Sequence, residues 1–411
     1  MNEMKGNSMA VFNSNDIYPV SADSELPFEQ HRDIFHLTGI DQEETILLLY
    51  PHSKDDKTRE ILFIRKSDNH TKVWEGEKLS KKQANELSGI DSIYLIDDFK
   101  DILSSIATKV DTFYINKNEH YRANSPVETR EDRFISWLLK KYPAHNVAKS
   151  NPILQRQRSV KHPDEVDQIK KACDITRRGF NRVLEFIKPN VWEYEIEAEF
   201  SHEFLKNRSK RFAYTPIIAS GKNSNYLHYI KNNKQCQSGE IVLMDVGAEY
   251  ANYSSDMTRT IPVNGKFSNR QKAVYNAVLN VKNEATKLLR PGILWKDYHI
   301  EVGKIMTSEL LKIKLLSKSD IQNQTSKNQA YKKYFSHGTS HHLGLDTHDY
   351  CDLKIPFEKN NVLTVEPGIY IMEEGFGIRL EDDVVINNSG DPTNLMGDIP
   401  IEIDEIESIM N

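Results

Sequence analysis

Two aspartates stand where a carboxylate is costly. Asp245 follows the apolar run Ile241-Val242-Leu243-Met244 and precedes Val246-Gly247. A carboxylate inside an apolar strand is disfavoured unless a cation compensates it. Strand alternation puts Asp245 on one face with Leu243 and Gly247. Asp256 comes eleven residues later, in Ser255-Asp256-Met257-Thr258-Arg259-Thr260. The turn-like interval 249–254 allows two neighbouring strands to bring the two acids together. Taken singly, either aspartate reads as a turn or ion-pair residue, because most carboxylates are solvated or paired.

Further along, His337-Gly338-Thr339-Ser340-His341-His342-Leu343-Gly344-Leu345-Asp346-Thr347-His348-Asp349 places four of the chain's fourteen histidines within twelve residues. A lone histidine is usually structural or solvated. This density, with glycines that permit close backbone approach, points to a site. The spacing is not that of a closed structural zinc site. His342 in a strand points away from His341 and is not expected to be a ligand. Two glutamates then end or lie within apolar strands, in Thr364-Val365-Glu366-Pro367-Gly368-Ile369-Tyr370 and in Gly377-Ile378-Arg379-Leu380-Glu381-Asp382-Asp383. Arg379 and Glu381 share a face, and Arg379 can reach a neighbouring carboxylate. Four carboxylates and one imidazole together would repel one another without cations. Two divalent ions balance the charge, and the oxygen-rich set suits manganese or cobalt at least as well as zinc. Two metals about 3.5–4 Å apart bridge a hydroxide, lower its pKa and polarise a carbonyl, which suits hydrolysis of an amide.

These residues need elements to position them. At 411 residues the chain is too long for one ordinary core. Residues 1–152 read as an α/β domain, with strands at 45–50, 61–64, 93–96 and 112–115 and helices at 99–110 and 130–142. The breaker cluster Lys149-Ser150-Asn151-Pro152 marks a boundary, followed by a polar segment over 155–161. His162-Pro163-Asp164-Glu165 opens a long helix that ends near 188–190. A second helix over 192–208 is rich in Glu, read as a solvated face. Strands at 241–245, 258–263, 362–365 and 378–386, with helices at 270–289 and 295–312 and a loop or short helix over 314–333, make residues 153–411 an α+β domain.

Bulk properties exclude other classes. The net charge of -6 comes from well-mixed signs, so nucleic acid is not expected as a partner. Cys173, Cys236 and Cys351 form no Cys-x-x-Cys pair and fit a reducing compartment. No signal peptide or membrane span is legible, and a cytoplasmic protein is expected.

In order along the chain, Asp245-Val-Gly, Ser255-Asp256-x-Thr-Arg-Thr, His337-Gly-x-Ser-His341, Glu366-Pro-Gly and Glu381-Asp-Asp resemble the pita-bread metallopeptidases, and within them the Xaa-Pro aminopeptidase (aminopeptidase P) family. The segments Arg32-Asp33-Ile34-Phe35-His36-Leu37-Thr38-Gly39 and Lys72-Val73-Trp74-Glu75-Gly76 are similar to that family's N-terminal domain, so the resemblance runs through essentially the whole chain. It implies an α/β N-terminal domain plus an α+β pita-bread catalytic domain. It makes Asp245, Asp256, His341, Glu366 and Glu381 ligands of two divalent ions, manganese first, with cobalt or zinc as alternatives. Glu366 would also act as general base and proton shuttle. His348 would stand beside the scissile bond, His228 and Tyr370 in the substrate pocket, His337 behind the site, and Arg379 outside the ligands. Asp33 and Trp74, in the same or a neighbouring subunit, would close the site around the free amine. Taken alone, Asp33 reads as a helix-start or turn residue and Trp74 as a core residue.

The implied reaction releases the N-terminal residue from peptides with proline second, and the implied assembly is a homo-oligomer, dimer or tetramer. The stretch 349–365 is shorter than in the bacterial enzymes and lacks arginines often found there, and the loop 371–377 is also short. These loops border the substrate side. The same metals on the same fold also serve a prolidase, which cleaves only dipeptides ending in proline. A non-enzymatic binding module on this fold is disfavoured because all five ligand positions are filled.

Overall fold

The computed structural model describes residues 1–120, 123, 125–325 and 328–411. The chain divides into two compact units, Met1–Gln157 and Arg158–Asn411.

The first unit is built on one six-stranded mixed sheet. Its strands are β1 (Ser8–Asn13), β2 (Ile46–Leu49), β3 (Glu60–Ile64), β4 (Ser92–Leu95), β5 (Thr112–Ile115) and β6 (Asn146–Lys149), in the order β4-β3-β2-β1-β5-β6. Side-chain alternation sorts the apolar residues onto two faces. Ala10, Phe12, Leu47, Leu62, Ile64 and Ile93 pack under α1 (Arg32–Thr38) and α3 (Lys81–Ser88), through Ile34 and Ala84. Met9, Val11, Ile46, Leu48, Ile61 and Phe63 face α4 (Phe99–Ala107) and α5 (Arg130–Lys141), through Phe99, Leu103, Ile106 and Leu138. Between α1 and α3 in sequence lies α2 (Asn69–Glu75). The central strand β1 was not foreseen. It is buried on both faces, so its short run Met9-Ala10-Val11-Phe12 shows no alternation of polar and apolar residues. Pro152 also differs from its expected part. It opens a helix, α6 (Asn151–Ser159), where a missing N–H in the first turn costs nothing.

One buried acid gives this unit a pH dependence. Glu131, in the first turn of α5, accepts from Asn13 N at 3.2 Å and from Asn13 Nδ2 at 2.9 Å. Burial, with the Asp33 charge adding to it, pushes its carboxyl up to about 7 against the donors' opposing effect. The folded state therefore binds this proton more tightly than the unfolded chain. The stability it contributes is complete below about pH 4.5 and is lost as pH rises through about 7. Over that window the loss is on the order of 3 kcal/mol. Glu131→Gln keeps the acceptor without the charge, so urea melts from pH 4.5 to 8 should show the variant gaining on the wild type as pH rises. A constant difference across that range contradicts this.

In the second unit, α7 (Pro163–Phe186) starts at a capping box between His162 and Glu165 and packs along α8 (Glu193–Lys206). Helices α9 (Asn269–Leu288) and α10 (Trp295–Lys312) form a second pair. Helices α7, α8 and α9 pack against short ribbons of antiparallel strands. One is β7 (Ile217–Ser220), β8 (Ile241–Val246) and β9 (Met257–Pro262), with β8 central. Others pair β10 (Val362–Val365) with β13 (Asp382–Val385), and β11 (Gly368–Ile371) with β12 (Phe376–Arg379).

Two expectations are corrected here. The strand read over 378–386 is two strands, because the backbone of Glu381 pairs elsewhere. Glu381 N donates to Thr258 O at 3.0 Å, and Arg259 Nη1 donates to Glu381 O at 2.6 Å. The acids of α8 are not all solvated either. Glu193 is fully buried and accepts from Ser220 N, Ser220 Oγ, Tyr229 Oη and Lys234 N, at 2.7 to 2.8 Å. Among the described residues no helix is long and apolar enough to cross a membrane.

Candidate metal centre

The antiparallel register of β8 and β9 sets Asp245 opposite Thr258 and Val246 opposite Met257, so Asp256 stands at the mouth of the same pair. Gly247 is required for that approach, since a methyl group there would lie 1.8 Å from Ser255 O. Asp256 is held in place by its own backbone N–H, which donates to Asp383 Oδ2 at 2.9 Å. His341 is fixed against β10, donating from N to Thr364 Oγ1 and accepting at O from Thr364 N. Its Nδ1 lies 3.0 Å from His342 O, which assigns the proton to Nδ1. The Nε2 lone pair then faces Asp256 Oδ2 at 3.4 Å and Glu366 Oε1 at 3.7 Å. One ligand atom from each of Asp256, His341 and Glu381 lies within 4.8 Å of the other two.

Asp245 joins the group through two shared partners. Tyr214 Oη lies 2.6 Å from Asp245 Oδ1 and 2.5 Å from Asp256 Oδ1. Arg379 donates from Nη2 to Asp245 Oδ2, from Nε to Thr258 Oγ1 and from Nη1 to Tyr370 Oη. Thr258 Oγ1 in turn donates to Glu381 Oε2 at 2.6 Å. His337 Nδ1 lies 2.8 Å from Gly338 O, which assigns its proton there, so Tyr370 Oη donates to His337 Nε2 at 2.8 Å; the same Nδ1 is 3.6 Å from Glu366 Oε2. The buried Arg379 supplies one positive charge for four carboxylates.

The carboxyl groups register that deficit. Burial, and then the charge of Asp245, hold Asp256 well above the usual carboxylate range. Burial, and then Asp256, Glu366 and Asp245, do the same to Glu381. Burial pushes Glu366 up to about 7, with Asp256 and Asp245 adding to it against His341 and Arg379. Groups of like charge crowded in a buried site, beside an imidazole nitrogen with a free lone pair, are a donor set that a divalent metal pair would complete. The residues present fit that group.

The remaining sequence candidates are placed as follows. His348 is exposed, and its ring stands edge-to-face 4.3 Å from that of His341. His342 is buried against Trp295, and burial followed by the Lys161 charge lowers it to about 3. His228 is exposed on a turn whose neighbours Leu227 and Tyr229 pack against the cluster containing Tyr370 and Leu243. Asp33 is buried in the first turn of α1 and accepts from Asn116 Nδ2 at 2.9 Å. Trp74 is 75% exposed on α2, so it is not the core residue its type alone indicates. Tyr214, Thr258 and Asp383 were not singled out. Tyr214 lies in Phe212-Ala213-Tyr214-Thr215-Pro216, where no period or charge marks it.

The sequence matches metallopeptidase family M24 over residues 167–388 and the aminopeptidase P N-terminal domain over residues 1–114. The chain belongs to metallopeptidase family M24. It is 34% identical to the Xaa-Pro aminopeptidase of Escherichia coli, over 95% of this chain and 90% of that one. With human Xaa-Pro aminopeptidase 3 it shares 30% identity, over 96% of this chain and 79% of that one. The solved proline aminopeptidase P II of Yersinia pestis superposes with a TM-score of 0.89 at 32% identity, covering 99% and 96% of the two chains. The M24 chain is thus a metal-dependent hydrolase whose second unit has the pita-bread fold, preceded by an aminopeptidase P N-terminal domain.

Proposed function

We propose that the chain is an Xaa-Pro aminopeptidase, releasing the first residue of peptides whose second residue is proline. The observation that carries this is likeness across both units at once: the buried acid–imidazole cluster lies within the M24 match, and residues 1–114 match the aminopeptidase P N-terminal domain. Asp245, Asp256, His341, Glu366 and Glu381 would hold two divalent ions, manganese first and cobalt or zinc as alternatives. When bound, such ions supply Lewis acidity and lower the pKa of a coordinated water.

The protein's own groups do the rest. Glu366, whose Oε1 lies 3.7 Å from His341 Nε2, takes the proton from the attacking water. It delivers that proton to the proline nitrogen, which as a tertiary amide nitrogen carries none of its own. His337, tied through Tyr370 to Arg379, packs behind Glu366. His348 steadies the carbonyl oxygen as charge develops on it, and His228 and Tyr370 line the substrate side. As the resemblance implies, Asp33 and Trp74, in the same or a neighbouring subunit, would bound the free-amine end. The exposed pair Val73 (81%) and Trp74 supports assembly into a dimer or tetramer, and three free cysteines suit the cytoplasm.

The test is paired hydrolysis of an Xaa-Pro-Xaa tripeptide and an Xaa-Pro dipeptide with added manganese. The tripeptide should be cleaved at the Xaa-Pro bond, and turnover of the dipeptide alone would make the chain a prolidase. In the same assay Asp33→Ala should raise KM for the tripeptide with metal content unchanged. Because Asp33 is buried, its melting temperature must be read alongside.

A further inference from the structure

The segment that carries His348 has no helix or ladder to hold it, since residues 343–350 form neither. Its ends are tied by Leu343 N donating to Val362 O at 3.0 Å and by Asp349 N donating to His342 O at 2.9 Å. Between those ties, a knot of charges that the proposed reaction does not use, buried except at Asp346, grips the loop. Arg158 and Lys161 precede α7, and their side chains, like that of Asp349, are only 1% exposed. Arg158 Nη2 donates to Asp349 Oδ1 at 2.7 Å and to Asp346 Oδ2 at 2.6 Å. Lys161 Nζ donates to Asp349 Oδ2 at 2.9 Å and also to Arg158 O. The guanidinium lies 4.7 Å from the ring centre of Tyr350. Gly344 leaves room for the knot, since a methyl group there would fall 2.2 Å from Asp349 Oδ2 and 2.8 Å from Lys161 Nζ.

A single guanidinium nitrogen therefore grips residues 346 and 349, two before and one after His348. Two cations against two carboxylates leave the knot without net charge. Burying such ions roughly breaks even with apolar packing of the same volume. Stability alone does not account for it, whereas the planar fork of arginine fixes the direction of each bond it makes. Burial alone would raise the Asp349 carboxyl, but Arg158 and Lys161 overcome this and hold it at about 2, so Asp349 stays charged at any working pH.

We propose that Arg158, acting through Asp346 and Asp349 with Lys161 as a second tie, is a positioning residue that sets the His348 imidazole beside His341. This rests on the assignment of His348 to the substrate side of the site.

The experiment measures kcat, KM, metal content and melting temperature for Arg158→Lys and Asp346→Asn, each alone and combined with His348→Ala, in manganese-loaded enzyme with an Xaa-Pro-Xaa tripeptide. Displacing a reacting group by about an ångström costs up to ~10²-fold. Arg158→Lys should lose roughly ten- to a hundredfold in kcat and Asp346→Asn a smaller but measurable factor, with KM and metal content unchanged in both. In the His348→Ala background the same substitutions should cause no further loss, because they act through a side chain already gone. Losses that multiply in full in that background, or single variants with wild-type kcat, overturn the positioning role. Asp346 is 42% exposed, so Asp346→Asn carries the comparison if Arg158→Lys does not fold. Unchanged kcat in His348→Ala itself is a different failure, which removes the assignment of His348.

Discussion

Chelation should abolish peptide hydrolysis and lower the melting temperature together, and added manganese should restore both. The site crowds Asp245, Asp256, Glu366 and Glu381 around one guanidinium, and burial with mutual repulsion holds Asp256 and Glu381 above the usual carboxylate range. A ligand that binds only the folded state at a hundred times its Kd stabilises by about 2.7 kcal/mol per site. For a unit of this size that corresponds to a Tm rise of roughly 5–10 °C per ion. His341→Ala removes the only imidazole whose lone pair faces Asp256 and Glu366 among the described residues. It should lose metal and, with it, at least ~10³-fold in kcat. Metal analysis by mass spectrometry beside a thermal melt checks both halves. Full activity of exhaustively demetallated protein would end the metal-dependent account.

His348→Ala should behave differently, although the two rings stand 4.3 Å apart. His341 is partly buried and anchored on both sides of its backbone to Thr364, while His348 is exposed. On the proposed assignment this exposed imidazole meets substrate rather than holding an ion. Its removal should lower kcat by ~10²–10⁴-fold, as loss of a proton-transfer or oxyanion group does, with both metals retained. If His341→Ala and His348→Ala give the same metal content, the two histidines have been assigned to the wrong tasks.

How much of this could be read from sequence depended on what made each residue anomalous. Asp245 and Glu366 adjoin apolar strands, where a carboxylate needs a reason, and the structure gathers Asp256, His341 and Glu381 within 4.8 Å. The helix Trp295–Lys312 and the strand Val362–Val365 followed from periodicity and apolar runs with clear ends. β1 was missed because a strand buried on both faces loses its alternation. Tyr214 was missed because a hydroxyl shared by two acids leaves no pattern in one chain. The burial of Glu193 was missed because its partners, Ser220, Tyr229 and Lys234, are brought together only by the tertiary fold. The Arg158–Asp349 clamp spans 191 residues of sequence, and no local pattern foreshadows it. His228, Asp33 and Trp74 entered through family resemblance alone, since their residue types carry no sign of a shared task.

The central claim is that the site takes peptides from a free amine and cuts before proline. It is tested most directly by kcat/KM of the manganese-loaded protein on one Xaa-Pro-Xaa peptide with its N-terminus free and acetylated. An aminopeptidase must measure one residue from the charged amine, so acetylation should lower kcat/KM by at least ~10²-fold, the cost of a charge left unpaired in a buried site. Equal kcat/KM for the two peptides would contradict the account.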